Sequence, residues 1–336
     1  MFSVLLFAVN AVVPILLLLA LGYALTKKGM LSHEFLNRGN TLVFKLLLPM
    51  TIFHNIYEVE SIAFINWSLV LFCLVTVLLI CAIGFVCSLF LVKERDAKGV
   101  FIQCTFRSNF AIIGLPLAQS LGGAPAAAVA AILSAFIVPL FNVLAVILLT
   151  VYAGESKGHS GKKIVSDIVK NPLIIAACVG LLALVIRNFI PLDDAGNLVF
   201  TLKNDMSFLY KAVEWLHLAS SPLALIVMGG LLDFSAIRGK LTNIVSGTLF
   251  RLVASPVIGL SLALILEQLN VMNITAGEYG SLIALFGSPV AVSSAIMVSN
   301  IGGDDELARQ YVVWTSVGSM ITLFLITAVM RGTGII

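Results

Sequence analysis

The sequence predicts an all-α integral membrane protein, with ten transmembrane helices arranged as two inverted five-helix repeats in which helices 4 and 9 are discontinuous. Three observations lead there. The chain is 60% hydrophobic and only 11% charged, against about 25% charged in a soluble domain. Its apolar residues fall into ten runs of a length that suits a bilayer. Two of these runs, one in each half, are interrupted at mid-span: by Arg107-Ser108-Asn109 with Gly114 and Pro116 beyond, and by Phe286-Gly287-Ser288-Pro289. Polar groups at that depth are costly unless they face protein or water, and a proline there frees a carbonyl that needs another partner.

The runs cover about 3–25, 38–57, 67–92, 98–121, 125–153, 172–191, 209–232, 244–267, 277–300 and 306–330. No Lys or Arg precedes the first, and Lys27 and Lys28 follow it. That reverses the charge order of a signal peptide, so it reads as a retained helix. With the N-terminus outside, thirteen cations fall in the inside connections: Lys27, Lys28, Arg38, Lys93, Arg95, Lys98, Lys157, Lys162, Lys163, Lys170, Arg238, Lys240 and Arg309. Four, Arg187, Lys203, Lys211 and Arg331, fall outside. The positive-inside rule then places both termini outside. Lys45, Arg107 and Arg251 remain within runs.

The Gly-, Ser- and Lys-rich stretch 154–171 reads as a cytoplasmic linker between a first repeat, 1–153, and a second, 172–336. Landmarks recur across it. Pro14 and Gly22 match Pro172 and Gly180, each 158 residues on; Pro49 matches Pro222, 173 on; Leu121-Gly122-Gly123 matches Ile301-Gly302-Gly303, 180 on. The offset grows where the second half has its longer connection, 192–208. Five spans per half make the second repeat enter from the opposite face.

Composition also excludes. A net charge of +3, scattered rather than clustered, gives no reason to expect nucleic acid. The five cysteines sit in apolar runs without CxxC or Cys/His spacing and read as small core residues, so no metal is expected. HExxH, a P-loop and a Ser/His/Asp arrangement are absent, so the chain does not read as an enzyme and no cofactor is implied.

Each interruption leaves a second half-helix whose free N–H groups point toward the middle of the protein and suit an anion. Pro116 and Pro289 are placed to start those half-helices. The run Asn109-Phe-Ala-Ile-Ile-Gly114-Leu-Pro116-Leu, ending at Leu121-Gly122-Gly123, resembles the Asn…Gly-x-Pro crossover motif of the auxin efflux carrier family, within the wider bile acid/arsenite/auxin carrier superfamily. Asn171-Pro172, Ser221-Pro222-Leu223, and Ser288-Pro289 with Gly302-Gly303-Asp304 are similar to that family's second half. The resemblance covers essentially the whole chain. It implies crossed helices 4 and 9, a scaffold of helices 1, 2, 6 and 7, and a transport unit of helices 3–5 and 8–10. It also implies elevator-like movement, a small organic anion as substrate, and a homodimer formed through the scaffold in the plasma membrane. The plant members' long cytoplasmic loop has no counterpart in 154–171.

Candidate substrate contacts are Asn109, Ser108, Arg107, Ser288, Ser293, Ser294 and, from the scaffold side, Asn55. Asn109 can cap the half-helix and meet substrate together. Arg107, two positions away, is expected to point elsewhere on any local helix. Gly114, Pro116, Gly287 and Pro289 shape the breaks. Gln103, Thr105 and Ser281 are candidate oxygen ligands for sodium, and Arg251 and Lys45 are expected to snorkel or pair within the protein.

The reading is a secondary transporter of a small organic anion (an auxin-like monocarboxylate, malate or malonate) in contact with membrane lipid. Each negative charge leaving down a 100 mV inside-negative potential gains about 2.3 kcal/mol, so an uncoupled monoanion carrier exports. Import needs a sodium ion or proton, and no buried carboxylate stands out to carry the proton. The rival reading is a membrane-embedded ligand sensor that uses the same fold without flux.

Overall fold

The computed structural model describes residues 2–58, 66–153, 170, 172–187, 189–191, 198–231 and 237–336. Apart from Lys170, the expected linker 154–171 lies outside the described residues, as does Asn171. Among the described residues the secondary structure is helical, with an isolated β-bridge between Ser108 and Val290.

Helical segments occupy all ten expected runs. In order they are α1 (Phe2–Lys27), α2 (His33–Leu42), α3 (Leu48–Tyr57), α4 (Trp67–Leu91), α5 (Arg95–Phe106), α6 (Leu115–Tyr152) and α7 (Pro172–Arg187). There follow α8 (Leu202–Asp205), α9 (Ser207–Gly230), α10 (Ile237–Leu249), α11 (Ser255–Gln268), α12 (Ala276–Gly287), α13 (Val292–Ile301) and α14 (Asp305–Gly332). Among the described residues, five stretches are long and apolar enough to cross a membrane: Trp67–Leu91, Pro125–Tyr152, Ser207–Gly230, Gly239–Gln268 and Asp305–Gly332. Large apolar side chains such as Leu71, Phe90, Leu182 and Leu325 face outward, as lipid-facing surfaces require, so the protein is a multi-pass membrane protein.

Among the described residues three π turns, Val43–Leu47, Phe110–Gly114 and Phe250–Ala254, each lie two residues before a proline: Pro49, Pro116 and Pro256. Proline offers no N–H to the carbonyl four residues back, which here lies inside the turn. The ladder instead closes with longer bonds, Leu48 N–H to Val43 O and Ser255 N–H to Phe250 O.

The paired glycines end helices by geometry. Gly123, at φ 69°, kinks α6 so that Pro125 opens a new helical direction, and Gly302 and Gly303, both at φ 129°, separate α13 from α14. Asp304 then caps α14 by accepting from the Leu307 N–H at 3.0 Å. The Gly-Gly landmark matched across the halves thus does the same conformational work in both.

Small residues set the closest approaches. α1 and α9 cross with Gly22 against the Ile226 carbonyl and Gly229 against the Leu19 carbonyl; a Cβ at either glycine would stand 2.0 Å from that oxygen. α6 meets α12 through Gly122 and Gly277. Such glycine seams are how helices pack closely in lipid.

Candidate functional site

The fourth and ninth runs are both broken at their middles. α5 ends at Phe106, residues 107–109 are extended, and a new helical direction starts at Phe110, where the Ile113 N–H returns to the Asn109 carbonyl at 2.9 Å. α12 ends at Gly287, residues 288–291 are extended, and α13 starts at Val292. The two gaps meet. Ser108 and Val290 form an antiparallel bridge, in which the Asn109 N–H donates to Pro289 O at 2.7 Å and the Ala291 N–H donates to Arg107 O at 3.2 Å. The Val290 N–H is taken by Thr315 Oγ1 at 3.1 Å. The amides of Asn109, Val290 and Ala291 therefore have partners, as depth in the membrane demands.

This crossing sorts the helix ends. The C-terminal carbonyls are gathered by Arg251, 1% exposed, which donates to Thr105 O, Leu285 O, Phe286 O and Ser288 O at 2.6–3.3 Å. The N-terminal ends, at Phe110 and at Val292–Ser293, have first-turn N–H groups without intrahelical partners. They border a cavity of about 60 Å³. One wall is the crossing (Arg107, Ser108, Asn109, Ala291, Ser293) with Phe141 and Asn142 of α6. The other is formed by Thr51 and Asn55 of α3, Leu173 of α7, and Ser220 and Ser221 of α9.

Arg107 lies in this cavity at 4% exposure. Its guanidinium donates to Asn142 Oδ1 at 2.7 Å and Ser293 Oγ at 3.0 Å, with a close contact to Met297 Sδ. It forms no ion pair among the described residues. The expectation that it points away from Asn109 assumed a helix; the segment is extended, and residues two apart on an extended chain share a side. Because Arg107 fixes Asn142 by its oxygen, the Asn142 amide nitrogen must face the other way, and there it has no partner. Ser108 Oγ and Ser220 Oγ are likewise buried without partners. Three unmet donors, one cation and two helix N-termini thus converge on one space, where buried polar groups ordinarily have partners.

Of the residues singled out from sequence, Arg107, Ser108, Asn109, Ser293 and Asn55 line the cavity. Ser288 does not: it is fully buried behind the crossing and its hydroxyl donates to Ala284 O at 2.6 Å. Ser294, one position beyond Ser293 on a helix, is buried off the cavity with an unpartnered hydroxyl. Pro289 lies in the extended strip, ahead of α13 rather than in its first turn. Pro116 stands in the first turn of α6, directly after the π turn Phe110–Gly114 that carries the half-helix back to the break. Gly114 is buried where a Cβ would meet the Phe110 ring at 2.3 Å, and Gly287 packs against Leu323. Sequence reasoning passed over Asn142 and Ser220. Each is a polar residue beside a proline-bearing stretch of an apolar run, which is the signal that was available.

A cavity where two broken helices cross, with a few polar groups set in a largely apolar lining and helices around it whose outer faces are apolar, is the architecture of a membrane transport protein. The chain belongs to the membrane transport protein family, the auxin efflux carriers, which it matches over residues 7–327. It is similar to the uncharacterized transporter MJ1031 of Methanocaldococcus jannaschii, with 24% identity over 322 residues that cover 94% of this chain and 96% of that one.

Proposed function

We propose that the protein is a secondary carrier of a small organic anion, a mono- or dicarboxylate such as malate or malonate, and that the carboxylate binds beside the crossed breaks. Arg107 carries this reading. A buried cation without a counter-charge is costly by several kcal/mol, and a visiting carboxylate would supply that charge and accept from the idle donors of Ser108, Asn142 and Ser220. The two helix N-termini add about half a positive charge each. The cavity's volume suits a compact guest: at roughly 10–15 Å³ per water, its 60 Å³ holds a few waters or a short carboxylate.

The ten-span inverted arrangement, with both termini outside and the chain in the plasma membrane, is part of the same proposal. So is the division into a scaffold of helices 1, 2, 6 and 7 and a transport unit of helices 3–5 and 8–10. That division draws support from the cavity, because Asn55, Leu173 and Ser220 come from the proposed scaffold while Arg107, Asn142 and Ser293 come from the proposed transport unit. A sliding movement of one against the other would turn the guest from one face of the membrane to the other. Efflux of labelled mono- and dicarboxylates from liposomes containing the purified protein tests it. Flux that disappears in Arg107→Gln and falls in Asn109→Ala is the expected result; no carboxylate flux, or flux indifferent to both changes, overturns it.

A further inference from the structure

Arg251 is the largest fully buried side chain among the described residues, and the anion cavity gives it no task. It lies in the π turn Phe250–Ala254, and the four acceptors it reaches are backbone carbonyls at the C-terminal ends of α5 and α12. It forms no ion pair among the described residues. Each helix C-terminus carries about half a negative charge, so the two together match one guanidinium. In carriers built on broken helices, such carbonyl-rich ends are where a coupling sodium ion is coordinated.

We propose, resting on the carrier reading above, that Arg251 is a tethered counter-ion that permanently holds the position a coupling cation would take, so that the transport cycle binds no sodium. Two of the three candidate sodium ligands, Thr105 and Ser281, are engaged. Thr105 O accepts from Arg251 and also from Ser255 Oγ at 2.6 Å, and the Ser281 hydroxyl donates to Ala126 O at 2.7 Å. A covalently attached cation is not released on the far side of the membrane, so the charge of the carried anion crosses uncompensated. Arg251 touches no substrate; it is a positioning residue, holding two helix ends together and neutral.

The test separates a tethered counter-ion from a merely structural arginine. Thermal unfolding of the purified protein is followed in sodium, potassium and choline chloride, without added carboxylate. The wild type is expected to unfold at one temperature in all three. Arg251→Ala is expected to unfold earlier in choline and to be raised selectively by sodium or low guanidinium, either of which enters the vacated carbonyl site. Arg251→Lys, which keeps the charge, is expected to remain indifferent to the salt. A purely structural role lowers the alanine variant without making it cation-selective, and that result overturns the proposal. Should the alanine variant not fold, a sodium-specific rise in the wild type still overturns it and indifference supports it. Malonate efflux from liposomes is expected to be equal in sodium and choline; sodium-dependent efflux overturns the proposal as well. Absence of any carboxylate flux, with the unfolding pattern as expected, would count against the anion reading and support this one.

Discussion

Replacing Arg107 by glutamine should weaken anion binding and leave the empty protein no less stable, two effects of opposite consequence from one substitution. In the empty protein the guanidinium is 4% exposed and pairs only with neutral groups: Asn142, Ser293 and Met297. Glutamine can still donate to Asn142, and it removes a buried charge whose desolvation no carboxylate offsets, so the unfolding temperature should hold or rise. With an anion bound the balance reverses. Truncating one partner of a buried, hydrogen-bonded charge pair costs about 2–5 kcal/mol, and at 1.4 kcal/mol per tenfold this is roughly 30-fold to 4000-fold in affinity. Calorimetric titration of the purified protein with malonate, beside thermal unfolding without it, reads both quantities. A variant that unfolds earlier yet binds as tightly as wild type would refute the assignment, because Arg107 would then be holding the crossing together rather than receiving a guest.

Other outcomes follow from the same geometry. Asn142→Asp puts a carboxylate 2.7 Å from the Arg107 guanidinium, so it should satisfy the cation internally, abolish anion binding and raise the unfolding temperature, as the same two assays would read. Arg251→Met should do the reverse of Arg107→Gln, lowering stability by an amount comparable to breaking a buried polar network, about 3–5 kcal/mol, in thermal or denaturant unfolding. Gly229→Val drives a branched side chain into the Leu19 carbonyl of α1 and should destabilise by about 1–3 kcal/mol or more; expression yield and unfolding temperature report it. Glu58, just beyond α3, has its carboxyl pushed up by burial but pulled further down by the Tyr210 hydroxyl and by Lys203 and His54, so that the net shift is below the ordinary 4.5. Its contribution to stability is therefore complete above that ordinary value and lost as pH falls through the depressed one. Unfolding temperature measured against pH should show an acid limb that flattens in Glu58→Gln.

The two breaks were legible because each puts polar residues and a Gly-x-Pro signal in the middle of an otherwise apolar run, and the helical stretches because the runs are apolar for the length of a bilayer. What the breaks do was less legible. A gap in a helix read as a gap in a helix, with side chains still spaced at 100° per residue; the structure makes it a short extended strip, stabilised by a partner 180 residues away that local sequence does not reveal, and this turns Arg107 and Asn109 toward one cavity. The role of Arg251 has the same origin. A lone arginine in an apolar run does not say which carbonyls it will reach, since all four belong to other helices. Ser288 and Ser293 were both candidate contacts, and only the direction of the chain through the crossing separates the one that bonds back to α12 from the one that meets Arg107.

Two amide bonds, from Asn109 to Pro289 and from Ala291 to Arg107, rivet the halves of the molecule at one point. A local gate would have to shear that rivet, losing both bonds at once. In the proposed cycle the crossing is therefore a tray of fixed shape: Arg107, Ser108, Asn109 and Ser293 travel with the guest as one piece, while Asn55, Leu173 and Ser220 stay behind as the wall it slides along.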